Sequence, residues 1–239
     1  MKKTALTILL LCVIALQYVG AQTYKTITSP NGKVELTIFT SQWGVPGYTI
    51  KVYGDTLIND SQLGLRYSGS ESSGHFIEKV NYKWERTDSL SQVKYNEMIV
   101  SFNQPYKGSY KVYARAFDNG YALKQAYKLG SAEKTFLQDD NTVICFASEA
   151  EVIQNGNTLN IDSISSLPFP VDIKLKDGKE LTISCYTLEG YPQMKLNSYP
   201  GLHNVLKVVL EPMYKGNDLV KAVLPDAFES PFIRVEVKE

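Results

Sequence analysis

Apolar and polar residues alternate along most of this chain, with the period of two that marks half-buried strands. Val34, Leu36 and Ile38 share one face of a predicted strand, with Glu35, Thr37 and Phe39 on the other. Tyr48, Ile50 and Val52 repeat the pattern, and Gly54-Asp55 turns the chain into a short apolar run at Leu57-Ile58. Further strands are predicted over residues 76–84, 97–102, 110–117, 121–127, 142–146, 173–175, 181–185, 205–210 and 232–237. Asp118-Asn119-Gly120 separates two of these runs. Asn119-Gly120 is expected to form the centre of a type I′ hairpin turn, where both residues need positive φ. Lys176-Asp177-Gly178-Lys179 predicts a second tight hairpin. No sustained apolar repeat has helical spacing; the best short helix candidate spans residues 217–223. The fold class is therefore all-β, an antiparallel sandwich rather than an α/β fold.

One apolar stretch breaks this pattern. Lys2 and Lys3 precede an apolar run from Leu6 to Leu16, and Val19-Gly20-Ala21 offers small residues for cleavage. Residues 1–21 are expected to be a secretory signal peptide, too short for a stable membrane span. The run containing Cys12 has no small residue just before that cysteine, so no lipid anchor is expected there. The predicted mature chain, residues 22–239, is one domain, large enough to bury roughly 70% of its unfolded surface. The sequence predicts no membrane span and an exported protein.

Charge excludes one partner class. The 25 basic residues balance 25 acidic ones, and removing Lys2 and Lys3 leaves 23 against 25. Without a basic stripe, nucleic acid is not an expected partner. Two cysteines remain after cleavage, Cys145 and Cys185. In an oxidising compartment they form either a disulfide or two thiols, and a core this large favours the thiols. Ser68-Gly-Ser-Glu-Ser-Ser-Gly74 reads as a mobile surface loop.

Candidate chemistry is sparse. His75 and His203 are the only histidines, and a histidine at a strand end is more often a surface residue than a base. Metal, nucleotide and hydrolase-elbow motifs are missing. Asp139-Asp140 and Glu149/Glu151 are acid pairs, but glycosidase chemistry needs two carboxylates set across a bond. Glu149 and Glu151 are expected in a solvated turn. Asp139-Asp140-Asn141 offers oxygens to calcium without the spacing of a calcium loop. Sixteen tyrosines, nine phenylalanines and two tryptophans suit a surface that stacks on sugar rings, although strands favour tyrosine anyway. Trp43, in the turn-like Gln-Trp-Gly-Val-Pro-Gly stretch, is the leading candidate for carbohydrate contact, followed by His203.

Several motifs occur in order: Ser29-Pro30-Asn31-Gly32-Lys33, Ser61-Gln62-Leu63-Gly64-Leu65, Tyr95-Asn96-Glu97-Met98, Arg115-Ala-Phe-Asp-Asn-Gly120, Leu167-Pro168, and Leu181-Thr-Ile-Ser184 running into Leu188-Glu189-Gly190-Tyr191-Pro192-Gln193-Met194. In this order they resemble the N-terminal domain of glycoside hydrolase family 97 across nearly all of residues 22–239. The resemblance implies a β-supersandwich akin to galactose-mutarotase-like folds. It also implies export to the periplasm or cell surface of a Gram-negative bacterium, within a glycan-utilisation system.

In that family the sandwich packs on a catalytic (β/α)₈ barrel that carries the catalytic carboxylates. Calcium-dependent members receive one glutamate ligand from the sandwich. The corresponding position here is Cys185, a poor ligand for calcium, with Glu189 as the nearest substitute. No cofactor is expected beyond the calcium the resemblance suggests. The chain ends at Glu239, where the barrel is expected to begin. The expected function is thus a non-catalytic carbohydrate-binding or scaffold domain, not an enzyme in itself. Its expected partner is a carbohydrate or a separately encoded catalytic barrel. The alternative is one half of a split or truncated α-glycosidase. Arg115 is expected to be a structural strand residue.

Overall fold

The computed structural model describes residues 23–67, 75–103, 108–128, 135–154, 156–186, 191–211, 213–215, 218–220, 222–224 and 227–238. The predicted leader, the Ser/Gly loop at 68–74 and Glu189 lie outside these residues.

The predicted alternation becomes strands at every predicted run, and all their pairings are antiparallel. The largest sheet has ten strands. Its main path runs Asn157–Asn160, Ala150–Gln154, Val171–Leu175, Glu180–Cys185, Ile233–Lys238, Gly120–Lys128, Ser109–Phe117, Lys94–Asn103, Phe76–Thr87. Ala227–Glu229 pairs beside this path. A second sheet of Thr23–Thr28, Val34–Thr40, Pro46–Val52 and Asp55–Gln62 packs against it. Val34–Thr40 lies on Ser109–Phe117, and Thr23–Thr28 on Lys94–Asn103. A third sheet, Val143–Cys145, Val205–Leu210, Met194–Ser198 and Leu167–Pro168, joins the second through an Ile58–Phe146 bridge. One contiguous core runs between the layers, from Ile27 through Val112 and Leu181 to Leu206. Phe39 and Thr37, expected on an outer face, are also buried, because Tyr24 and neighbouring chain cover that side.

The hairpin at 118–120 forms, but one residue earlier than expected. Phe117 pairs with Gly120, so Asp118 and Asn119 are the loop residues, and neither has positive φ. This corrects the type I′ expectation. The loop is fixed by its neighbours instead. Asp118 Oδ1 accepts the Asn31 N–H at 2.9 Å, and Asn119 O accepts the Val237 N–H at 2.8 Å. A true positive-φ pair occupies another hairpin, Tyr53 at +55° and Gly54 at +88°. The second predicted turn is present, with Gly178 at φ +90° and Leu175 donating to Lys179 O at 2.9 Å.

Two further expectations are corrected. The segment 217–223 is not helical where described: Asp218–Val220 pairs with Met213–Lys215, and Ala222–Leu224 with Thr135–Leu137. Cross-strand partners outweigh a weak helical spacing. Glu151 lies in the strand Ala150–Gln154 rather than in a turn. Glu149 just before it is exposed and pairs with Lys176 at 3.0 Å.

Arg115 is structural, as expected. Its Nε donates to Glu97 Oε2 at 2.8 Å, and its guanidinium lies over the rings of Tyr95 and Phe232, at 4.8 and 4.2 Å. Lys83 Nζ reaches the other Glu97 oxygen at 2.8 Å. Burial pushes the Glu97 carboxyl up, but hydrogen bonds from Lys83 and Arg115 outweigh it and hold the group below its usual range. Glu97→Gln keeps the shape and removes the charge that both cations use. It is expected to cost about 2 kcal/mol in urea unfolding, the scale of charge-assisted hydrogen bonds.

Candidate functional site

The two sequence-predicted contact residues stand on separate loops. Trp43 occupies a tight turn between Val34–Thr40 and Pro46–Val52, and its side chain is 78% exposed. Ser41 Oγ accepts the N–H groups of Trp43 and Val45, and Gly44 O accepts the His75 N–H at 2.7 Å. The indole is thus presented on a pinned backbone, a flat apolar face with one N–H donor. His75 is not a surface residue: its half-buried ring packs edge-on to Tyr110, and burial lowers its pKa.

His203 precedes Val205–Leu210, with its side chain 91% exposed. Its Nδ1 lies 2.8 Å from Asp162 Oδ2, while Asp162 Oδ1 accepts the Asn204 N–H at 2.9 Å. Asp162 is carried by the short 3₁₀ turn Ile161–Ser163, capped by Asn160. The hydrogen bond with His203, then that from Asn204, holds its carboxyl below the usual range. The geometry orients the imidazole edge towards solvent as a polar contact. No contact among the described residues joins His203 to Trp43.

Cys185 ends the strand Glu180–Cys185 opposite Ile233, following the buried Leu181 and Ile183. Its thiol is half-buried against the core, with Sγ 3.5 Å from Met194 Sδ and 3.6 Å from Tyr186 O. Burial, assisted by the negative charge of Asp140, pushes the thiol up to about 12. Cys145 is likewise an unbridged thiol, so the two cysteines do not pair.

Asp140 is the residue that the sequence pattern did not single out as a buried group. It ends the strand Thr135–Asp140 and is fully buried, whereas Asp139 beside it pairs with Lys207 at 2.9 Å. Asp140 Oδ1 accepts the Thr142 N–H at 2.8 Å, the local Asp-x-Thr turn that was the available sequence signal. Thr142 Oγ1 accepts from Gln125, whose Oε1 accepts the Tyr110 hydroxyl. Burial pushes the Asp140 carboxyl up to about 6, despite the opposing bonds from Thr142. Among the described residues, no well-formed hydrogen bond reaches its Oδ2. The buried Tyr191 hydroxyl faces this carboxylate: burial first, then the Asp140 charge and a loose hydrogen bond to it, push the Tyr191 pKa well up.

The described part of this corner does not fit calcium; Glu189 lies outside it. A hard cation requires several oxygen donors. The position implied for a ligand carries a protonated thiol beside a thioether, with Asp140 as the nearby carboxylate. Among the described residues, no group of three His, Cys, Asp or Glu side chains has metal-binding geometry.

The layers and their pairing order define an antiparallel β-sandwich. The family description "Glycosyl-hydrolase 97 N-terminal" matches residues 27–231, and the chain belongs to this family. A solved family 97 glycoside hydrolase from Pseudoalteromonas sp. strain K8, in complex with acarbose, superposes with a TM-score of 0.74 at 22% identity. The superposition covers 90% of this chain and 36% of that one. A panose complex of an E480Q variant of that enzyme gives the same values. A β-arabinopyranosidase is similar at a TM-score of 0.68 and 16% identity, covering 90% of this chain and 40% of that one. The chain therefore spans little more than a third of the enzymes it resembles. Among curated proteins nothing matches.

Proposed function

We propose that this chain is an exported, non-catalytic carbohydrate-binding domain of a glycan-utilisation system, working beside a catalytic domain that supplies the hydrolytic chemistry. The observation that carries the reading is its membership of a family of N-terminal domains, together with an exposed indole held on a pinned turn. Trp43 offers the face on which a pyranose ring stacks, and His203 a separate polar contact. The N-terminal leader directs export to the periplasm or cell surface. The described residues contain no helix long and apolar enough to cross a membrane.

A second reading has its own support. Since the chain corresponds to 36% of a complete family 97 enzyme, it also suits a scaffold on which a separately encoded barrel docks, the two forming one α-glycosidase. A glycan array with neutral α-linked oligosaccharides, followed by size-exclusion chromatography with a family 97 catalytic domain, separates these readings. Saturable glycan binding that falls about tenfold in Trp43→Ala, with an unchanged melting temperature, is expected; tenfold corresponds to about 1.4 kcal/mol. Co-elution with the catalytic domain and no glycan bound would leave only the scaffold. The absence of both glycan binding and co-elution overturns both readings.

A further inference from the structure

A cleft of about 310 Å³ opens at the end of the second sheet farthest from Trp43. The register fixes this placement. Thr40 pairs with Pro46 beside the Trp43 turn, whereas Val34 pairs with Val52 beside Tyr53. The cleft is walled by Tyr53, Asp118, Asn119 and three lysines, Lys33, Lys179 and Lys238. Its volume lies at the lower end of the roughly 300–1,000 Å³ typical of small-ligand pockets.

Two independent features converge on it. First, Tyr53 sits at φ +55° in a two-residue hairpin, a conformation in which Asn or Gly is favoured and a bulky residue is an outlier. Its ring gains no burial in return, being 59% exposed. Backbone strain retained under an exposed aromatic is the pattern of a ligand contact rather than of packing.

Second, three of the four charged side chains on the wall are lysines. The Asp118 carboxylate is already engaged by the Asn31 N–H. Lys179 and Lys238 reach Asp177 and Asp172 at 2.5 and 2.9 Å, and Lys33 lies over the Tyr53 ring at 5.1 Å. Solvent-facing lysine pairs of this kind are weak, so an anionic ligand competes with them.

We propose that this cleft is a second saccharide subsite, selective for a sugar carrying a carboxylate or sulfate. It rests on the reading of the domain as a carbohydrate binder. The Tyr53 ring takes the C–H face of the pyranose, and the lysines hold the anionic substituent. Lysine is suited to this as a point charge that tolerates either anion.

The test is a calorimetric titration of the protein with three probes: a glucuronate-containing disaccharide, a sulfated disaccharide and neutral maltose. The variants are Tyr53→Asn and Lys238→Gln. Asn relieves the turn, so the first variant is expected to melt no lower than the parent. Acidic probes are expected to bind, to weaken with added salt, and to lose at least about tenfold in affinity in each variant. Binding of just one of the two acidic probes identifies its anion as the ligand group. Acidic binding that survives both variants, or maltose binding here as tightly as the acidic probes, overturns the proposal while leaving carbohydrate recognition elsewhere intact. Failure of every saccharide on both this titration and the array overturns the broader reading too.

Discussion

Gly120→Ala is expected to be the most damaging single-methyl change in this domain, lowering stability by about 4 kcal/mol or preventing folding. A Cβ at this position would lie 2.0 Å from Val235 O and 3.0 Å from Glu236 Cα, both backbone atoms. A flexible side chain moves aside; paired backbone does not. Gly120 pairs with Glu236 and Tyr121 with Val235, so the clash falls on the strand that joins the two halves of the largest sheet. Relieving it means separating Gly120–Lys128 from Ile233–Lys238, between which Leu123, Ile233 and Val235 contribute to the core. Urea unfolding by circular dichroism measures the effect. Gly178→Ala is the comparison, because a Cβ there meets nothing within 4 Å and bears only the cost of φ +90°. That change is expected to cost about 1 kcal/mol. Equal losses in the two variants would contradict the close-approach explanation.

The second large effect is pH-dependent. Folded Asp140 titrates near 6, against an ordinary value of 3.8. Over that window the folded chain holds the proton more tightly than the unfolded one. Stability therefore falls as pH rises from about 4 to about 6, and the penalty, about 3 kcal/mol, is fully present at neutral pH. The groups around it are Thr142, which donates to the carboxylate, Asp139, Lys207, Tyr191 and Cys185. Carboxyls of the opposite kind, such as Glu97, Asp162 and Asp172, are held low and withdraw stability as pH falls below about 4. The clean readout is thus a difference between variant and parent. Asp140→Asn keeps an oxygen for the Thr142 N–H and presents an amide N–H in place of Oδ2. It is expected to raise the melting temperature at pH 7.5 and to match the parent near pH 4. A variant less stable than the parent at pH 7.5 would mean that the carboxylate is needed in its charged form.

Most of the sandwich was legible because burial is one-sided along its strands. Val34, Leu36 and Ile38, or Leu181 and Ile183, announce their face through spacing alone. Strands with little apolar content were not legible. Asn157–Asn160 is exposed throughout and held by its strand partner, and Thr23–Thr28 buries only Ile27. The hairpin at Asp118 shows a different limit. Asn-Gly normally marks the turn centre, but this glycine is required one step later, where Val235 crosses it.

The candidate sites divide in the same way. Trp43 stood out because a tryptophan in a Gly/Pro turn has no strand face to bury. Only the Asp-x-Thr turn distinguished Asp140 from Asp139 locally; alternation along one strand sends the first inward and the second to Lys207. The Tyr53 cleft brings together residues from five separate stretches of chain, and only the folded topology assembles it.

The central claim is that this domain recognises carbohydrate without transforming it. A calorimetric titration with neutral α-linked oligosaccharides tests both parts at once, because binding heat and turnover heat differ in time course. The expected trace saturates, returns to baseline after each injection and weakens in Trp43→Ala. Sustained heat after each injection, with free sugar accumulating, would show that the chain hydrolyses its ligand and would contradict the claim.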